Sequence, residues 1–253
     1  VTFDAIISDI DGCLGPESDE PLPVEGLARI ARHNRLAIAR RDRPILTVCS
    51  GRPLPFVEAV CRVIANDRLP AVCENGVWLY DPHRRSFERD PRITAEHVAL
   101  VHDAMRWVET DLGPSGVVIQ PGKSASMSLW HPDTEFLFSL LPLLRDRFAA
   151  EHWPFRVSTT IAWINCDLDF VSKATGVERL MRAAGLTRER AVFVGDAPGD
   201  LVVQPLVALF AAPANCHEQV KSRADLVTAA PEVDGVLELL ARFSPGQNTP
   251  PQG

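Results

Sequence analysis

No stretch of the 253 residues stays apolar for the roughly 18–20 positions that a membrane-crossing helix needs, so no membrane partner is expected. Positive charge is also short. Lys and Arg number 26 against 33 Asp and Glu, a formal net charge of -7. Nucleic acid is bound by cations that displace counterions from phosphates, so no nucleic-acid partner is expected either. A small anionic substrate is not excluded, because a metal and a few local cations can invert the field inside one pocket. Closely spaced cysteine pairs are missing as well. Cys13, Cys49, Cys61, Cys73, Cys166 and Cys216 form no C-x-x-C, and Cys49, Cys73 and Cys166 lie in apolar runs that read as buried strands. Reduced structural thiols in a cytoplasmic protein are expected. The chain is already strand-like by residue 3 and carries Asp4 and Asp9, so its start does not read as a signal peptide. His131, His152 and His217 match no zinc spacing.

What is present is ordinary core-forming material, 46% hydrophobic and 23% charged. It suffices for one large domain or two modest ones. An apolar run at 3–8 ends in the acidic turn DIDGCLGPE. A helix pattern follows through Val24, Leu27, Ile30 and Ala31, then a strand at 44–49 and the turn Ser50-Gly51-Arg52. Pro53 suits the first turn of the next helix. A strand at 71–73, the turn Glu74-Asn75-Gly76 and a strand at 77–80 come next. Near the other end a helix through Val177, Leu180 and Ala184 stops at Gly185. It precedes a strand at 191–196, short strands at 207–210 and 225–227, and a helix at 232–243. Strands alternating with helices predict an α/β fold, a Rossmann-like doubly wound parallel sheet. Residues 81–172 have another rhythm: a helix at 95–110, a hairpin at 116–130 and a helix from Asp133 through Phe148. A second hairpin at 155–167 completes the segment. That order predicts an inserted α+β cap, an antiparallel sheet with two helices on one face. The expected division is a core of 1–80 plus 173–243, a cap of 81–172 and a loose tail of 244–253. The basic run 29–43 is expected to be a solvated helix face.

The polar signatures sit at the carboxyl ends of the strands, where ligands bind in such sheets. Asp9 and Asp11 flank Ile10; alone, D-x-D is better read as a turn. Ser50 and Gly51 offer a hydroxyl and backbone amides suited to a phosphate oxygen. Lys173 is a point charge suited to a phosphoryl group. Gly195-Asp196-Ala197-Pro198-Gly199-Asp200 adds two carboxylates. Asp9, Asp11, Asp196 and Asp200 together make the oxygen-rich site that magnesium prefers.

The ordered set DIDGC, CSGR, SKATG and GDAPGD resembles the four motifs of the haloacid dehalogenase superfamily of phosphohydrolases. The position of the insert resembles the type II cap, of the subtype found in sugar-phosphate and archaeal-type phosphoglycolate phosphatases and in phosphomannomutases. Glu74-Asn75-Gly76, and Asn215 before Val220-Lys221, resemble recurring features of that branch. The resemblance implies Asp9 as a nucleophile that is transiently phosphorylated and Asp11 as acid and base. It implies Ser50, Gly51 and Lys173 on the phosphoryl oxygens. Mg2+ would sit on Asp9, Asp196 and the Asp11 carbonyl, with Asp200 as ligand or neighbour. Cys13, Ala174 and Gly199 depart from the family pattern where threonine, glycine and asparagine are usual. Cys13 has no evident base beside it and is expected to be a small structural substitution.

For the insert, strand alternation puts Ser126, Ser128 and Trp130 on one face and Met127 and Leu129 on the other. Trp163 and Asn165 share a face in the last strand. Either this Trp/Ser/Asn face roofs the active site or the tryptophans pack on the core. Lys123 could meet a substrate carboxylate, but a solvated turn position is the expected one. The implied activity is magnesium-dependent hydrolysis of a small phosphorylated metabolite, a sugar phosphate or a sugar-acid phosphate. A phosphomutase and a non-catalytic phosphometabolite-binding protein are the alternatives, and a homodimer is allowed.

Overall fold

The computed structural model describes residues 3–17 and 20–245. Its centre is a five-stranded parallel sheet in the order β12-β11-β10-β1-β2, built from β1 (Ala5–Ser8), β2 (Ile45–Val48), β10 (Ala191–Val194), β11 (Leu209–Ala212) and β12 (Leu226–Val227). β1 is buried at every residue, as a strand covered on both faces must be. Alternation then divides it between two cores. Ile6 packs toward α1 (Val24–Arg40), α2 (Leu54–Val63) and α8 (Glu232–Arg242). Ile7 packs toward α6 (Lys173–Ala184) and α7 (Glu218–Lys221). The chain leaves β1 toward β2 on one side, and β10 pairs on the other. The strand order therefore reverses at β1, and a crevice opens beyond the carboxyl ends of β1 and β10.

A second, three-stranded antiparallel sheet joins β3 (Ala71–Cys73), β4 (Trp78–Asp81) and β5 (Ser86–Arg89). It abuts the parallel sheet through a single parallel bridge, Cys49 to Val72. The strand β5 was not expected. Ser-Phe-Glu-Arg is mostly polar and exposed, and only pairing with β4 marks it as a strand. The hairpin 78–89 thus runs across residue 80, where the insert was expected to begin. It is tied to α6, whose Arg179 donates to the carbonyls of Gly76 and Glu88.

Beyond it, α3 (Ala95–Trp107) leads to a four-stranded antiparallel sheet in the order β6-β7-β9-β8: β6 (Val118–Ile119), β7 (Ser126–Trp130), β8 (Phe155–Thr159) and β9 (Trp163–Leu168). The helix expected from Asp133 through Phe148 is two helices, α4 (Thr134–Ser139) and α5 (Leu141–Ala150). Pro142 has no N–H to continue the ladder and its ring crowds the preceding turn, so the helix restarts there. Asp133 caps α4 as expected, accepting from the Phe136 N–H. Met127, Leu129, Ile164 and Cys166 pack on Leu137, Leu144 and Phe148, which leaves the opposite, polar face of this sheet free. Strands 207–210 and 225–227 are seen at β11 and β12, and Pro53 caps α2 rather than entering it. Of the expected tail, only Ser244 and Pro245 fall within the described residues.

Candidate active site

Asp9 directly follows β1, and Asp196 follows β10 after Gly195. Their strands are neighbours in register, so two carboxylates emerge side by side at the crevice. Asp200 joins them from the helical turn Pro198–Leu206. Carboxylate oxygens of Asp9, Asp196 and Asp200 all lie within 4.8 Å of one another. Lys173, the first residue of α6, reaches in: its Nζ donates to Asp9 Oδ2 at 2.5 Å and to Asp200 Oδ1 at 2.6 Å. Capping of α6 by Ser172, whose Oγ accepts from the Thr175 N–H, sets where that lysine begins. Asp200 spends its other oxygen on the N–H groups of Asp196 and Ala197.

One ammonium cannot balance three buried carboxylates. Burial is the main force on Asp9, raising its pKa to about 7 against the opposing pull of Lys173. Asp196 is pushed up to about 8 by burial, then by Asp200 and Asp9. For Lys173, burial acts to lower the pKa, but Asp200 and Asp9 outweigh it and hold the ammonium well above its ordinary value. The arrangement demands additional positive charge. Hard oxygen donors in this density fit a divalent cation such as magnesium.

Asp11 stands apart from that cluster. Its carboxylate accepts a fork from Arg52, with Nε at 2.9 Å and Nη2 at 2.6 Å. Gly12 between them has φ of +75°, and a Cβ there would lie 2.1 Å from Asp196 Oδ2, so only glycine fits. Asn215 holds this loop by donating to the Gly12 carbonyl at 2.9 Å. Cys13 is buried with its Sγ 3.7 Å from Asp196 Oδ1. Burial and the nearby carboxylates push its thiol well up, the opposite of what a nucleophile needs. All six cysteines are free and buried. Ser50, two residues beyond β2, is fully buried; its Oγ accepts from the Arg52 N–H, and Gly51 and Arg52 rather than Ser50 line the crevice. At Gly199 a Cβ would meet nothing within 4 Å.

The crevice is closed above into a cavity of about 450 Å³ whose roof is the polar face of the four-stranded sheet. Ser128, Trp163 and Asn165 line it, with Lys123 beside them. Two residues of the expected face do not. Ser126 is buried beneath, with its Oγ near Glu74, and Trp130, opposite Trp163 in the ladder, lies outside the lining. Lys123 corrects the expectation of a solvated turn: it is only 9% exposed. Hydrogen bonding to Ser128 draws the ammonium inward, its Nζ 2.5 Å from Ser128 Oγ.

Sequence reasoning missed the contacts that join roof to floor. Glu74, Asn75 and Gly76 all have positive φ. This kink aims Glu74 at the start of β7, where its carboxylate accepts from the N–H groups of Ser124 and Ala125. Asn75 Nδ2 donates to Asp167 at 3.1 Å, and Arg156 lies 3.5 Å from the same carboxylate. The tip of the β8–β9 hairpin reaches the floor as well, through the Ile161 N–H to Glu17 Oε1 at 3.2 Å. The available signals were the turn Glu74-Asn75-Gly76, noted only as a resemblance, and a charged residue, Asp167, in the strand run WINCDL. Among the described residues no histidine joins a metal-ligating cluster, and no helix is long and apolar enough to cross a membrane.

A parallel sheet with paired acidic strand ends under a polar roof is the arrangement that the resemblance to haloacid dehalogenase-type phosphohydrolases implies. The comparisons with known proteins agree. Residues 166–240 match the family model for haloacid dehalogenase-like hydrolases. The chain is 28% identical to a phosphoglycolate phosphatase of Haloarcula marismortui over 94% of its own length and 96% of the relative's. It is 24% identical to a phosphoglycolate phosphatase of Methanoculleus marisnigri over 79% and 82%. Among solved structures, a haloacid dehalogenase-like hydrolase from Bacteroides thetaiotaomicron superposes with a TM-score of 0.68 at 18% identity, covering 96% of this chain and 100% of that one. The sucrose-phosphatase of Synechocystis, solved with sucrose and phosphate, gives 0.67 at 14% identity, covering 96% and 98%. The chain is thus similar to haloacid dehalogenase-like hydrolases over residues 166–240 and to curated phosphoglycolate phosphatases over most of its length.

Proposed function

We propose that this enzyme hydrolyses a small phosphorylated metabolite, a sugar phosphate or a sugar-acid phosphate such as phosphoglycolate, through a phosphorylated Asp9. The observation that carries the reading is Asp9 itself. Its Oδ2 lies 2.5 Å from Lys173 Nζ, in a cluster whose oxygens lie within 4.8 Å of one another and which faces a cavity large enough for a metabolite. The curated relatives' activity on phosphoglycolate supports the substrate class. Residues 81–172 act in this reading as a lid over a core formed by the rest of the described chain.

Asp9 Oδ2 attacks phosphorus as the bond from phosphorus to the leaving oxygen breaks, and Asp11 delivers a proton to that oxygen. Water then attacks the phosphorylated Asp9, with Asp11 taking its proton, and phosphate departs. The Arg52 fork holds the Asp11 carboxylate in place at the crevice. In the first half Arg52 must loosen its hold as the substrate enters. Lys173 neutralises phosphoryl oxygens, and the backbone at Gly51 faces them. Ser50 holds that turn through the Arg52 N–H and adds its hydroxyl if the turn shifts. Asp9, Asp196 and the Asp11 carbonyl would hold a magnesium ion, which would supply charge neutralisation at the phosphoryl oxygens. Asp200, whose oxygens are committed to Lys173 and to two amides, orients those groups.

Asp9→Asn tests the reading, because an amide cannot attack phosphorus. Phosphate release from p-nitrophenyl phosphate with magnesium is expected to fall about 10³-fold or more, with the circular dichroism spectrum unchanged. Turnover within tenfold of the parent would overturn the mechanism.

A further inference from the structure

The cavity walls carry the cationic side chains of Arg52, Lys123, Arg156 and Lys173, and three of these are committed. Lys173 bridges Asp9 and Asp200, and Arg52 forks on Asp11. Arg156 donates to the carbonyls of Asp169 and Val171 and lies beside Asp167. Lys123 differs. Its Nζ donates once, to Ser128 Oγ at 2.5 Å, and Ser128 in turn donates to Asn165 Oδ1 at 2.5 Å. Among the described residues it forms no ion pair. An ammonium has three N–H donors, so two remain open in a side chain that is nine-tenths buried.

Lys123 is also fixed in place. The preceding Gly122, with φ of +88°, packs over Pro53 at the start of α2. The two residues that follow Lys123 are pinned by the Glu74 carboxylate. Burial lowers the pKa of Lys123, and the fields of Asp167 and Glu74 oppose that. Neither carboxylate is free to pair with it, since Asp167 is engaged by Asn75 and Arg156, and Glu74 by Ser124 and Ala125. A buried charge without a partner is costly unless a ligand completes it.

We propose that Lys123 receives a carboxylate on the leaving portion of the substrate, so that the enzyme selects small phosphorylated hydroxy acids over phosphorylated polyols. The inference rests on the phosphatase reading above. A monoanion matches the single uncompensated charge, whereas a second phosphate dianion would need more cations than this roof holds. Ser128 and Asn165 then serve to aim the ammonium.

The test compares 2-phosphoglycolate with 2-hydroxyethyl phosphate, two esters of like size that differ in the carboxylate. The wild-type ratio of kcat/KM is expected to favour phosphoglycolate by about 10- to 100-fold, the worth of a charge-assisted hydrogen bond. Lys123→Met is expected to collapse that ratio toward one, while Ser128→Ala, which keeps the charge, retains most of it. Calorimetric binding of both esters to Asp9→Asn, with and without Lys123→Met, gives the same ratio without turnover. If no monoester is hydrolysed by the wild type, the phosphatase reading falls, and the binding ratio still decides the role of Lys123. No carboxylate preference in the wild type, or an equal loss for both esters in Lys123→Met, overturns the proposal. Should Lys123→Met fail to fold, Lys123→Gln and the wild-type ratio decide it.

Discussion

Trp163 and Trp130 face each other across the β7–β9 ladder, yet only Trp163 lines the cavity. Their substitutions are therefore expected to separate. Trp163→Ala should lower kcat/KM on the best metabolite about 10- to 100-fold, the range for losing one apolar contact in a specificity pocket. Trp130→Ala should leave kcat/KM within about threefold, since Trp130 lies outside the cavity lining, and should act on stability instead. Steady-state kinetics on both variants checks this; equal losses would mean that the rings serve the packing of the sheet. At this scale the charged groups were legible as a set: Asp9 and Asp11 alone read as a turn, but acids at a second strand end and a lysine opening a helix gave the cluster a chemical reason. The surroundings of Lys123 were not legible. A lysine after Pro-Gly reads as solvated, and only the tertiary approach of Pro53, Ser128 and Glu74 buries it.

Among the elements, the kink at Glu74-Asn75-Gly76 carries the most consequence. Glu74→Ala would leave the N–H groups of Ser124 and Ala125 buried without acceptors, at about 1–3 kcal/mol each. The loss is expected to total about 2–5 kcal/mol in denaturant unfolding and to be accompanied by a fall in kcat. A loss below about 0.5 kcal/mol would show that water replaces the carboxylate. The parallel strands β1, β2 and β10 were readable as continuous apolar runs, the mark of strands buried on both faces. The strand β5 was not, because an exposed polar edge has no periodicity to read. Pro142 was visible all along as a helix breaker. The apolar residues on either side of it continue in phase through the break, which is why one helix was expected where two exist.

At the scale of the whole molecule, the acidic cluster couples stability to pH and to metal. Folding raises the pKa of Asp9 from 3.8 to about 7 and of Asp196 from 3.8 to about 8. The native state therefore binds more protons than the unfolded state between those limits. Without metal, its stability falls as pH rises from about 4 to 8. A divalent cation bound by these carboxylates would compete with those protons, so its stabilising effect is expected to grow over the same range. Thermal unfolding in chelator and in magnesium at pH 6, 7 and 8 is expected to show a Tm gap that widens with pH. A gap that stays constant would mean that Asp9 and Asp196 are already ionised at pH 6. The separate antiparallel sheet was legible from the change of rhythm after residue 80, whereas the hairpin 78–89 was not, because it belongs to neither pattern. The Glu74 clasp has one more consequence, for transplantation. The roof is held at that point through two peptide N–H groups, which any sequence other than proline can present, and through the hydroxyls of Ser124 and Ser126. A foreign roof grafted onto this base would keep the two amide contacts and would need small hydroxyl side chains at those two places to complete the grip. Position 74 is a socket that asks for little beyond backbone and two serines from whatever is plugged into it.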